Sequence, residues 1–223
     1  MGLWWRISLL FSLIIFVSAC QTRPKEAEVS GIRTPVSVEQ LLALPILNDQ
    51  NWLDRSKQAN FKEANQADEG DGLSSSLKKR DWVMVTLSSF CPCSQSHMAH
   101  LNELAHRFPE FQFIGLHTDR VLEGPELKKF YQERQLSFPV LDDRKLTISS
   151  ALRAVTTPHV FVLNSEARVL YQGAVTSASD FSPQNRLYLQ EALQARASGQ
   201  GFRPQQTRPL GCPISYNLKG GRG

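Results

Sequence analysis

Hydrophobic and polar positions along the chain alternate between two periods. Trp82-Val83-Met84-Val85-Thr86-Leu87 is a continuous apolar run of strand length, the pattern of a central strand buried on both faces. Ser94 to Phe108 then sets Met98, Leu101, Leu104, Ala105 and Phe108 at helical spacing, with His97, His100 and His106 distributed among them. Phe111 to Leu116 predicts a second strand, Pro125 to Arg134 a helix, Phe138 to Leu141 a short strand, and Leu146 to Leu152 a short helix. His159 to Leu163 and Arg168 to Gln172 form a predicted hairpin around the turn Asn164-Ser165-Glu166-Ala167. Pro183 to Arg196 is the last predicted helix, with Gly199 placed to stop it. The order β-α-β-α-β-α-β-β-α needs crossovers, hence a mixed central sheet with helices on both faces, an α/β sandwich. A closing hairpin and helix separate it from a dinucleotide-binding fold, and no Gly-rich phosphate loop is present.

The N-terminal stretch reports location. A short segment with the single charge Arg6 precedes the apolar run Ile7 to Phe16, too short for the ~20 residues of a membrane-spanning helix. Val17-Ser18-Ala19-Cys20 resembles the lipobox of bacterial lipoproteins. That resemblance implies a signal peptide over residues 1–19 and a lipid-modified Cys20 as the first mature residue. It also implies a place in the bacterial cell envelope, anchored by lipid and facing the periplasm, with Gln21 resembling the outer-membrane pattern. Residues 20–71 read as a tether and N-terminal extension: Gln21 to Val36 is polar, Val36 to Leu44 has room for one short helix, and Asn65 to Ser76 is an acidic, Ser-rich loop. The folded domain is expected over 72–200, followed by a tail, 201–223, that carries Cys212.

With 41% hydrophobic and 21% charged residues, a sizeable core can form. The 25 basic and 21 acidic residues leave +4 without a basic stripe, which argues against nucleic acid as a partner. Four cysteines are too few for a disulfide scaffold. Their placement matters more. Phe90-Cys91-Pro92-Cys93-Ser94 lies directly after the central strand and directly before the long helix, where backbone N–H groups and the helix dipole stabilise a thiolate. Thiols so placed have pKa values lowered to roughly 3.5–7.5, which makes them nucleophiles and leaving groups.

Three further segments, taken in order with Phe90-Cys91-Pro92, carry a family resemblance. Phe138-Pro139-Val140-Leu141-Asp142 is similar to the "FPVL-D" segment of redoxins, and Thr156-Thr157-Pro158-His159-Val160-Phe161 to their strand that opens on a cis-proline. Gly173 closes the hairpin as a glycine does there. From about Leu73 to Gly199 the chain resembles the thioredoxin-like redoxin and thiol-specific antioxidant superfamily. The resemblance implies a thioredoxin-like sandwich, Cys91 as attacking thiolate, and Thr157 with Pro158 as the platform that receives a substrate chain. The partners it implies are protein thiols or disulfides and a reductant at the membrane, with no cofactor.

The chain departs from the family at several points. Ser94 stands where a Cys-x-x-Cys motif has its second cysteine, leaving Cys93 as the nearest partner or auxiliary thiol for Cys91. Met84 replaces the proline of a peroxiredoxin motif, although Ser88 fits its hydroxyl position, so a thiol peroxidase is the second reading. The tail segment Thr207 to Ile214 resembles the ending of a redoxin subgroup, and a folded-back tail would let Cys212 act as the third, resolving thiol. A Cu(I) chaperone is the remaining alternative, with Cys91, Cys93, His97 and His159 as ligands, since soft sulfurs and imidazole suit copper. The principal expectation is an extracytoplasmic thiol-disulfide oxidoreductase working from Cys91, Cys93 and Cys212.

Overall fold

The computed structural model describes Gln40, residues 43–48 and residues 80–216. The signal-like segment, most of the 20–71 extension and the last seven residues lie outside the described residues, although Gln40 is itself helical.

From residue 80 to residue 216 the elements are β1 (Asp81–Leu87), α1 (Pro92–Arg107), β2 (Phe111–His117), α2 (Gly124–Glu133), β3 (Val140–Asp142), α3 (Thr147–Ala151), β4 (Thr156–Thr157), β5 (Val160–Leu163), β6 (Val169–Gly173), α4 (Tyr188–Ala197) and β7 (Cys212–Pro213). The main sheet has the order β3-β2-β1-β5-β6, parallel from β3 to β1 and antiparallel from β1 to β6. β1 sits in its centre, which explains the unbroken apolar run. Successive side chains of a strand point to opposite faces. Val83, Val85 and Leu87 therefore pack with Leu101 and Leu104 of α1, Tyr131 of α2 and Leu189 of α4. Trp82 and Met84 enter a second core with Ile148, Leu152 and Phe161. Both faces are covered, as the sequence predicts.

Several element boundaries have local causes. α1 starts at Pro92, two residues before the expected Ser94, because proline at the first helical position loses no hydrogen bond that the helix needs. β3 pairs only from Val140, since Pro139 has no N–H and Asn48 holds the approach through the Phe138 carbonyl and the Val140 N–H, both at 2.8 Å. The helix expected from Pro183 begins at Tyr188 instead. Residues 177–186 form a loop in which Arg186 N–H donates to Ser177 Oγ and Asn185 donates to the Asp180 carbonyl. Its Ser and Asn side chains take backbone bonds that a helix would otherwise make. Gly199 does follow the last turn, at φ +69°. The hairpin turn is also as expected, with Asn164 Oδ1 accepting from the Glu166 and Arg168 amides. Buried Asp143 holds the start of α3, accepting from Ile148 N–H, Ser149 N–H and the Ser149 hydroxyl at 2.6–3.1 Å.

The pattern along the chain gives no hint of β4 and β7. Together they form a two-stranded antiparallel ribbon that pairs Thr157 with Cys212. No helix among the described residues is long and apolar enough to cross a membrane.

Candidate active site: three sulfurs at the end of the central strand

The loop after β1 is built on serine hydroxyls. Ser88 Oγ accepts from the Phe90 and Cys91 amides at 3.2 and 3.0 Å, and Ser94 Oγ accepts from Ser88 N–H. Asp119, at the end of β2, takes the Ser89 amide at 2.6 Å together with its hydroxyl. Burial alone would raise the Asp119 pKa, but the Val121 amide, His117 and the Ser89 amide outweigh it and hold the carboxyl below its usual range. This scaffold fixes Cys91 as the residue that caps α1, 2% exposed.

The cis Thr157–Pro158 bond brings the opposite loop to the same point. Thr86, fully buried in β1, anchors that loop by donating to the Thr156 carbonyl at 2.7 Å and accepting from His159 N–H at 2.9 Å. The Thr157 carbonyl oxygen lies 3.0 Å from Cys91 Sγ.

The tail completes the site. Thr207 is seated on the end of β6, its hydroxyl 2.8 Å from the Tyr171 hydroxyl and accepting from Ala174 N–H. Gly173, at φ +145°, has no space for a side chain against Thr207. The chain then runs along β4, Ile214 N–H donates to the Val155 carbonyl, and the Tyr216 hydroxyl donates to the carbonyls of Ser149 and Ala154. Cys91 and Cys212 are joined by a disulfide spanning 121 positions, with Cα atoms 5.9 Å apart.

Cys93, the nearest partner expected for Cys91, is instead a free, partly exposed thiol. All three Sγ atoms lie within 4.8 Å of one another. Once reduced they form a soft, all-sulfur set of the kind that Cu(I) prefers. The histidines of the expected copper set do not join it. His97 uses Nδ1 on the Cys93 carbonyl at 2.8 Å and Nε2 on the Thr176 hydroxyl at 2.9 Å. His159 packs on Phe161, and its Nδ1 takes the Val155 amide, while burial lowers its pKa to about 4. The strand edge at Thr157, expected to receive a substrate chain, is taken by Cys212 in the disulfide-bonded chain.

A family model described as the AhpC/TSA family matches residues 56–172, just over half of the chain. The chain belongs to the AhpC/TSA family. Cys91, Cys93, Thr157 and Pro158 fall inside the match, whereas Cys212 and the rest of the tail lie beyond it. Two solved structures share the fold of this AhpC/TSA chain. An uncharacterized conserved protein from Geobacillus kaustophilus is 21% identical, with a TM-score of 0.56 over 64% of this chain and 80% of that one. A hypothetical protein from Sinorhizobium meliloti 1021 is 21% identical, with a TM-score of 0.56 over 65% and 84%. No curated protein is recognisably similar in sequence.

Pattern reading passed over other residues that shape this AhpC/TSA site. Thr86 hides in an apolar run, and Asp119, Arg120 and Lys145 stand in loops with no motif of their own. A pocket of about 680 Å³ that opens beside the disulfide gathers the last three.

Proposed function

We propose that the chain is a thiol-disulfide oxidoreductase of the cell envelope, in which the Cys91–Cys212 disulfide is opened and re-formed in each cycle. The bond itself carries this reading, since it joins the cysteine at the start of α1 to a tail laid along the cis-proline loop. An incoming thiolate attacks the sulfur of Cys212, the more exposed of the two residues, and the S–S electron pair leaves on Cys91 Sγ at the helix N-terminus. A second thiolate then attacks the incoming sulfur, which departs as a disulfide and leaves both cysteines reduced. Re-oxidation passes the two electrons to a disulfide-bearing acceptor. A stable disulfide suits an oxidising compartment, and a lipid on Cys20 would tether the domain to the membrane.

The test is differential alkylation and mass spectrometry of the purified chain across a glutathione redox series. Titration of the Cys91–Cys212 pair within about −300 to −120 mV is expected. A bond that never opens in that window, or a Cys212→Ser chain that cycles unchanged, refutes the reading.

Membership of the AhpC/TSA family together with the resolving position of Cys212 favours a second reading, a thiol peroxidase. Cys91 thiolate would take one peroxide oxygen to become a sulfenic acid, releasing an alcohol. Cys212 would then displace water to form the observed disulfide. Peroxide consumption that depends on both cysteines separates the two readings.

A further inference from the structure

The donor that opens the disulfide meets the oxidised chain, and there the tail lies along β4 with Cys212 opposite Thr157. A protein donor cannot add its own backbone to that edge while the tail holds it. The sulfurs instead line the pocket of about 680 Å³, a volume typical of small-molecule sites. Part of the lining is apolar: Phe90 and Val121, 71% and 57% exposed, and Ile214.

Another part is cationic: Arg120, Arg144 and Lys145. Arg144 is engaged by Asp142 at 2.6 Å and by Glu123 at 3.7 Å. Arg120 directs its guanidinium to the Arg144 carbonyl, so its charge meets no carboxylate there. Exposed Lys145 has no acidic partner among the described residues. Asp119 is the acid of the pocket lining, and its oxygens are taken by Ser89 and the Val121 amide. Arg120 and Lys145, neither held by a carboxylate, thus outnumber the single carboxylate of the lining, Asp119, at an opening onto a disulfide.

We propose that this pocket admits a small thiol carrying carboxylates, of the size of glutathione, as the electron donor. The proposal rests on the reading that the Cys91–Cys212 bond is redox-active. The donor's thiolate bonds to Cys212 Sγ and Cys91 leaves as a thiolate. A second donor thiolate attacks the first donor's sulfur, so that two donor thiols become one donor disulfide and the chain gains two thiols.

The experiment follows reduction of the oxidised full-length chain by alkylation quench, with glutathione, its diethyl ester and dithiothreitol at matched thiolate concentration. At low salt, glutathione should react about tenfold faster than the ester, the lower end of what charge focusing gives. The advantage should vanish in an Arg120→Ala, Lys145→Ala double variant and at ~1 M salt. Dithiothreitol carries no carboxylate, so in that variant the glutathione rate should fall relative to the dithiothreitol rate, and an unaltered thermal melt shows that the variant is folded. Equal rates for glutathione and ester, or a preference that survives the double substitution, overturn the proposal and leave the redox reading intact. A disulfide that dithiothreitol cannot open overturns both. A thioredoxin-type protein that reduces the chain faster than glutathione does assigns the donor to a protein and overturns the small-thiol proposal alone.

Discussion

Replacing Gly211 by alanine tests how the tail is held. Gly211 adopts φ +153°, and a Cβ there would sit 2.2 Å from the Thr157 carbonyl oxygen and 2.7 Å from its carbon. Neither atom yields easily, since Thr86 pins this loop by donating to the Thr156 carbonyl and accepting from His159 N–H. The backbone conformation is disfavoured for any side chain, at about 1–3 kcal/mol. Lifting the strand to clear the carbonyl also endangers the Ile214–Val155 hydrogen bond, worth about 1 kcal/mol. The disulfide forces the oxidised form to carry this strain, whereas the reduced tail is free to lift. A penalty of about 2–4 kcal/mol on the oxidised form corresponds to about 40–90 mV toward easier reduction, at about 30 mV for each 1.4 kcal/mol. The assay is the alkylated fraction of Gly211→Ala and parent chains across the same glutathione series. An unchanged potential with a lowered Tm would show that the tail presses on Thr157 in both redox states. An unchanged potential and Tm would refute the close approach itself.

Acid should destabilise the fold between about pH 6.5 and 4. Burial holds His159 neutral down to about 4, so below 6.5 the unfolded chain binds a proton that the folded one refuses, costing up to about 3 kcal/mol. His97, His100 and His117 are lowered in the same sense, chiefly by burial. Urea midpoints that stay flat from pH 7 to 4.5 would contradict this. Asp143→Ala removes three hydrogen bonds at the start of α3 and should cost about 2–4 kcal/mol in chemical denaturation. Thr207→Val strips a partner from the Tyr171 hydroxyl and the Ala174 amide, and about 1–3 kcal/mol should be lost. Cys93→Ser should leave the Cys91–Cys212 bond intact by non-reducing peptide mapping, because Cys93 takes no part in it.

Much of this architecture is legible along the chain because local chemistry and final environment agree. β1 is apolar at nearly every position since both its faces are covered, and Asn164 writes the hairpin turn with its own side chain. Where backbone bonds come from distant side chains, the pattern misleads. Asn48 and Pro139 shorten β3, and Ser177 with Asn185 delays α4. The site divides in the same way. Cys91, Pro158 and Ser88 lie in motifs, whereas the Cys91–Cys212 pairing depends on two glycines, Gly173 and Gly211, that let a remote tail approach. The order of cysteines along the chain favours the near neighbour Cys93, the resemblance of the tail admits Cys212 as a resolving thiol, and the fold shows which of the two is bonded to Cys91.

The wide separation of the joined cysteines also bears on how the protein is made. As the chain emerges from its N-terminal side, Cys91 and Cys93 appear together while Cys212 is still 121 positions away from Cys91. An oxidant that acts at that stage finds Cys93, not Cys212, beside Cys91. The native bond waits until residue 212 has emerged and the tail has found its place beside Thr157. Its presence thus reports a chain made at least through residue 212 with the tail in place, and chains cut short before Cys212 cannot form it.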